Sequence, residues 1–296
     1  MENQALRIKA LLLITVIFLL GSSAYGVEPK PVNSSGNGSG KVFRYSAMSF
    51  GIPILKASIK IENGTSEQGR PIYQIRASIY SLDYLKFLFR INNRFLSTVE
   101  AETLAPLQYV KEIHQEGLLT KKKNYLQTLT FDHSNKKLIV ENRKEGERKE
   151  TSLSADAHDP LSIDHSNKKL IVESRKEGER KEIPLSADTY DPLSIFAKHY
   201  LKNELHPGQD IQMSIFDGMK LRRMVFVSRK EKVTSKIYGE VEAVCLESST
   251  SFSSFDDKEG KIRIWYADPG EKIPILIELE LPVGNIKFEL ESVEQN

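Results

Sequence analysis

Much of the chain alternates apolar and polar residues with a period of two. Tyr73, Ile75, Ala77 and Ile79 alternate with Gln74, Arg76 and Ser78; Ile275, Ile277, Leu279 and Leu281 alternate with Glu278 and Glu280; Ile286, Phe288 and Leu290 alternate with Lys287 and Glu289. Successive side chains of a strand point to opposite faces, so each segment predicts a strand with one dry and one wet face. Shorter patterns predict further strands at 42–49, 54–61, 95–100, 107–116, 122–131, 211–216, 220–228, 241–247 and 261–266. Asn63-Gly64, Asp217-Gly218 and Asp268-Pro269-Gly270 supply turn chemistry between them. One segment changes period: Asp191 is an N-cap and Pro192 a first helical residue, and Leu193, Phe196, Ala197, Tyr200 and Leu201 then form one apolar stripe. The expected fold is mainly β, a curved antiparallel sheet or half-open β-barrel wrapping one main helix over about 191–203. Without alternation of strands and helices, a nucleotide-binding α/β fold is excluded.

A repeat interrupts this pattern. Residues 132–163 recur as 164–195 with 27 of 32 positions identical; the differences are Asn142/Ser174, Thr151/Ile183, Ser152/Pro184, Ala157/Thr189 and His158/Tyr190. Two copies are too few for a solenoid, which needs about three units to bury a continuous core. Each copy reads as a charged hairpin, Lys137 to Glu141 returning through Arg148 to Leu153 around Gly146. Only the second continues into a helix, because after Asp159-Pro160 the first runs into Asp164-His165-Ser166. The extra residues are expected to form a protruding charged hairpin rather than new core.

The first 26 residues carry the parts of a cleavable secretory signal. Arg7 and Lys9 precede an apolar run from Ala10 to Leu20, and Ala24-Tyr25-Gly26 offers small residues for cleavage near Gly26. An apolar helix of that length reaches only about 16 Å, roughly half of a hydrocarbon core about 30 Å thick. No cysteine follows the run, so lipid attachment has no acceptor. The expected product is a periplasmic protein with no membrane span after signal removal. Residues 27–41, rich in Pro, Asn, Ser and Gly, read as a disordered linker. A single β-rich domain is expected over 42–296.

Composition narrows the function. With 42 Lys+Arg against 40 Asp+Glu there is no global attraction for nucleic acid. The single cysteine, Cys245, excludes an internal disulfide framework, and its apolar surroundings suggest an inert buried thiol. His114, His133, His158, His165, His199 and His206 include no pair at zinc-enzyme spacing, and no nucleophile elbow, P-loop or dinucleotide fingerprint occurs. Lys121-Lys122-Lys123 reads as a solvated face, and Phe216-Asp217-Gly218 as a hairpin turn. No catalytic, metal or cofactor-binding residue is assigned.

Several segments, in order, resemble a bacterial envelope family known as domain of unknown function 3108. They are Tyr45 through Gly51-Ile52-Pro53, Asn93-Arg94-Phe95, Glu102-Thr103-Leu104-Ala105-Pro106-Leu107-Gln108-Tyr109, Asp191-Pro192-Leu193-Ser194, Phe216-Asp217-Gly218, and Pro274-Ile275 with the strand that follows. The resemblance covers about 43–292 and departs from the family at the 32-residue duplication. It implies an exported protein with a curved sheet around a helix, similar to the carriers of lipoproteins or lipids in the periplasm, and implies no catalytic residue. The expectation is a non-enzymatic binding or carrier protein of the cell envelope. Its apolar groove, with the helix as plug or lid, would take a lipid, an acyl chain or an envelope protein. Two other readings stand beside it: an envelope hydrolase, and an adaptor that pairs through edge strands.

Overall fold

The computed structural model describes residues 40–118, 122–144, 180–186, 188–202, 205–252, 257–268, 271–282 and 284–295. The expected signal and nearly all of the linker lie outside the described residues, as do the turn around Gly146 and Arg148 to Leu153 of the first repeat copy.

Fifteen strands form one sheet in the order β8-β7-β6-β5-β4-β3-β2-β1-β15-β14-β13-β12-β11-β10-β9. They are β1 (Lys41–Ser49), β2 (Ile52–Thr65), β3 (Pro71–Ser81), β4 (Arg90–Glu100), β5 (Pro106–Glu116), β6 (Lys123–Asp132), β7 (Lys137–Lys144), β8 (Arg180–Pro184), β9 (Thr189–Tyr190), β10 (Asp210–Phe216), β11 (Leu221–Ser235), β12 (Gly239–Phe252), β13 (Lys258–Ala267), β14 (Pro274–Leu281) and β15 (Gly284–Gln295). Neighbours pair antiparallel except β9 and β10, which run parallel. The mainly β, curved-sheet expectation is met.

The order of strands dictates the shape. Laid flat at about 4.8 Å per strand, the sheet would be roughly 67 Å wide. Its two edges, β8 and β9, are separated in sequence by only the residues between Pro184 and Thr189, a link that reaches about 17 Å at most. The sheet therefore curls almost fully round, and the β8 and β9 edges face each other across a seam. The start of β1 and the end of β15, Lys41 and Gln295, pair at one end of this barrel. The Phe50-Gly51 turn, the β3–β4 and β5–β6 connections and the Asp217-Gly218 turn lie at the other, hereafter the Phe50 end.

Helix α1 (Pro192–Lys202) fills the interior. Asp191 caps it: its Oδ1 accepts from the backbone N–H of Leu193 (2.8 Å) and Ser194 (3.0 Å), and its Oδ2 accepts from the Ser97 hydroxyl (2.7 Å). Such a cap contributes about 1 kcal/mol. The predicted stripe understates the burial, since Ser194, Ile195 and His199 are buried as well as Phe196 and Ala197. The reason is that the wall surrounds the helix. Phe196 joins the cluster that contains Phe43 and Ile75, Ile195 the one with Met213, Met224 and Phe226, and Leu193 the one with Tyr109, Leu129 and Phe216; the Tyr266 hydroxyl donates to the Phe196 carbonyl.

The repeat is used differently from the expectation. The edge of β7 in the first copy is taken by β8 of the second copy, with Leu138 opposite Ile183 and Glu141 opposite Arg180. Two of the divergent positions explain the choice. Asn142 accepts a hydrogen bond from Gln127 Nε2 at 2.8 Å, a reach the shorter Ser174 lacks. Ile183 is buried, where Thr151 would place a hydroxyl.

Candidate functional site

The inner face of β4, β5 and β6 is mostly apolar, as the wall of a core should be, but it carries a group of polar side chains. Tyr109, Lys111, Ile113 and Gln115 of β5 share the inward parity, as do Tyr125, Gln127 and Leu129 of β6 and Ile91, Asn93 and Phe95 of β4. Lys111 sits directly opposite Gln127. Lys111, Asn93, Gln115 and Gln127 are all at least 97% buried.

The Asp217-Gly218 turn closes over this group. Lys111 Nζ donates to the Asp217 carbonyl at 2.7 Å, and Gln127 Nε2 donates to the Gly218 carbonyl at 3.0 Å. Gly218 has φ +92, and a Cβ there would lie 2.0 Å from Gln127 Oε1 and 2.5 Å from Lys111 Nζ. Only glycine fits so close an approach. Asp217 Oδ1 accepts from the N–H groups of Met219 and Lys220, so the turn is ordered from within. Phe216 packs on Leu129, Phe131, Leu138, Ile183 and Leu185. Phe216-Asp217-Gly218, read from sequence as a plain hairpin turn, therefore latches the β10 side of the seam to the β5–β8 side.

The polar group is unevenly satisfied. Asn93 Nδ2, both amide atoms of Gln115 and Gln127 Oε1 have no hydrogen-bond partner among the described residues. An amide atom buried in that state costs about 1–3 kcal/mol unless a polar occupant meets it. Burial lowers the Lys111 ammonium to a pKa of about 7, with Asp217 opposing the shift. Near neutral pH this site therefore offers two amide donors, two amide acceptors and a lysine poised between its charged and neutral forms.

A second feature marks the same end of the barrel. Phe50, Ile52, Tyr80, Tyr84, Phe87 and Leu118 are exposed, six of the ten exposed large hydrophobics among the described residues. Phe50 and Gly51 form a two-residue turn with φ +50 and +77. Asn or Gly normally takes the first place of such a turn, and a bulky side chain costs about 1 kcal/mol there.

The other residues singled out from sequence are scattered. Cys245 is fully buried, and desolvation raises its thiol to about 12, so it is inert. His114 pairs with Glu112 (2.7 Å), His133 meets the Pro106 carbonyl (2.7 Å), and the His206 carbonyl accepts from Ser228. His199 is buried against Tyr266, and desolvation lowers its pKa to about 4. His158, His165 and Lys121 lie outside the described residues; Lys122 is exposed. Among the described residues no three His, Cys, Asp or Glu side chains converge as a metal site. Sequence reasoning missed Lys111, Gln115 and Gln127. The available signal was a polar residue at the inward parity, between Tyr109 and Ile113 and between Tyr125 and Leu129.

These features define a barrel-like, helix-filled β protein with a buried polar group at one end. The chain belongs to the family described as Protein of unknown function (DUF3108), which matches residues 42–165 and 161–291. The two matches meet where the second repeat copy begins. Four solved chains are similar. Among them is a beta-barrel-like protein of domain of unknown function DUF1849 from Brucella abortus, 10% identical, with a TM-score of 0.50 over 87% of this chain and 98% of that one. That likeness is one of fold. No curated protein matches the chain.

Proposed function

We propose that this is a non-enzymatic, exported binding protein of the cell envelope that holds an amphiphile at the Phe50 end of the barrel, polar head inward. The observation that carries the reading is the set of unsatisfied, deeply buried amides of Asn93, Gln115 and Gln127 that share the inward face of β4, β5 and β6 with Lys111, within otherwise apolar walls. Ligand sites are typically apolar surfaces with a few convergent polar groups. Here those groups suit an acidic or hydroxylated head, with the tail lying along the apolar inner surface near Tyr109, Ile113 and Phe95. Secretion through the signal over residues 1–26 would deliver the protein to the periplasm.

Native mass spectrometry and solvent extraction of the full chain purified from cells test the proposal. An apolar or amphiphilic species should co-purify with the wild type and be depleted in Gln115→Leu and Lys111→Met. Repeated recovery of folded wild-type protein with nothing bound would overturn it.

A further inference from the structure

We infer that the Phe50 end of the barrel is a docking face for an anionic bilayer surface, seating Phe50, Ile52, Tyr84, Phe87 and Leu118 in the interfacial layer. Phe50 is 71% exposed, Phe87 68% and Leu118 81%, so folding gains little from them. They are presented by three neighbouring hairpin ends: the β1–β2 turn, the β3–β4 connection and the β5–β6 connection.

These ends are packed together. The Tyr84 hydroxyl donates to the Pro53 carbonyl, tying the β3–β4 connection to the first hairpin. A Cβ on Gly117 would lie 2.4 Å from the Leu88 carbonyl oxygen, so the β5–β6 connection rests against the same segment. Beneath Tyr84 and Phe87, Phe89 is buried and Leu85 packs on the core, fixing the connection from below. The apolar tips are thus held outward on a firm base. The unfavourable backbone of Phe50 fits the same account, since strain retained at an exposed apolar residue points to use rather than stability.

The charges around the tips choose the occupant. Lys86, Arg90 and exposed Lys122 flank them, and Lys56, farther along β2, is held by Glu291 at 2.5 Å. The pairs Lys86–Asp83 and Arg90–Glu116 are exposed, and such pairs are weak enough for lipid phosphates to compete with the carboxylates. Aromatic and aliphatic tips with lysines beside them have the chemistry of membrane interfacial anchors. Loop tips on a rim suit a deformable bilayer better than they suit a fixed protein groove. The inference goes beyond the proposed ligand and does not use Lys111.

Co-sedimentation of the full chain with vesicles tests it. The protein should pellet with phosphatidylglycerol-containing vesicles and much less with phosphatidylcholine alone, and salt should weaken the binding. Phe50→Ser with Phe87→Ser should reduce partitioning by at least about tenfold. Lys86→Gln with Lys122→Gln should abolish the preference for anionic lipid. Ile237→Ser with Tyr238→Ser, at the other end of the barrel, should change nothing. Because Phe50 and Phe87 are exposed, the first variant should retain the wild-type melting temperature. Absence of pelleting with either lipid, or equal pelleting of the Phe50/Phe87 variant, overturns the inference and turns attention to a protein partner. Native mass spectrometry of that variant reports separately on the interior ligand.

Discussion

Lys111 Nζ lies 2.7 Å from the main-chain oxygen of Asp217, a residue 106 positions later in the chain. That contact crosses the seam of the barrel, and its closeness depends on the absence of a side chain at Gly218. Gly218→Ala should therefore destabilise the fold by about 3 kcal/mol or more, through both backbone strain and overlap with Gln127 and Lys111. Gly208 also has a positive φ, +83, but nothing lies within 4 Å of its Cβ position. Gly208→Ala should cost only about 1 kcal/mol. Urea unfolding of the two variants makes the comparison; equal losses would show that the turn does not press on the polar group.

Lys111 also makes stability depend on pH. Its folded pKa of about 7 lies below the ordinary 10.5, so across that window the unfolded chain binds more protons than the folded one. Stability should then rise with pH between about 7 and 10. Lys111→Met removes this dependence. The difference in unfolding free energy between wild type and variant should move toward the wild type by up to about 4 kcal/mol over those three units. A difference that stays constant would mean that the ammonium is hydrated in the folded state.

Strands and helix were legible because each is a local pattern. The alternation of Tyr73 to Ile79 and of Ile286 to Leu290 needs only a dry and a wet side, and the Asp191-Pro192 start is written in adjacent residues. The closure of the sheet was not legible, because it is set by contacts such as Phe216 with Ile183 and Lys111 with Asp217 that no periodicity encodes. The pairing in the repeat was hidden for another reason. Both copies offer nearly the same strand, and the choice rests on Asn142 and Ile183, whose significance depends on Gln127 and on the buried interior. The polar group was obscured because a lysine within an alternating strand is ordinarily a solvent-facing residue.

The repeat permits a clean measurement of one hydrogen bond. Deleting 148–179 joins Glu147 to Arg180 and keeps β7 and β8 in their observed register, with Asn142 opposite Gln127. Deleting 132–163 instead yields the same sequence with Ser174 in place of Asn142. Both variants should unfold cooperatively. The first should be the more stable by about 1 kcal/mol, the net contribution of a typical hydrogen bond. Loss of a cooperative thermal transition in both would show that the extra copy supports the fold.

Phe50 sets stability against binding at a single position. Its φ of +50, followed by +77 at Gly51, is the geometry of a type I′ turn, for which Asn-Gly is the favoured pair. The Phe50 side chain is exposed, so its removal forfeits little packing. Phe50→Asn should then stabilise the protein by about 1 kcal/mol, raising the melting temperature by about 3 °C for a domain of this size. The same substitution removes the largest apolar group from the first of the three tips and should weaken vesicle binding. Gain of stability with loss of binding is the pattern expected where a residue is kept for use at the expense of the fold. A fall in melting temperature would show instead that Phe50 supports the hairpin, and would remove the strain from the case for membrane docking.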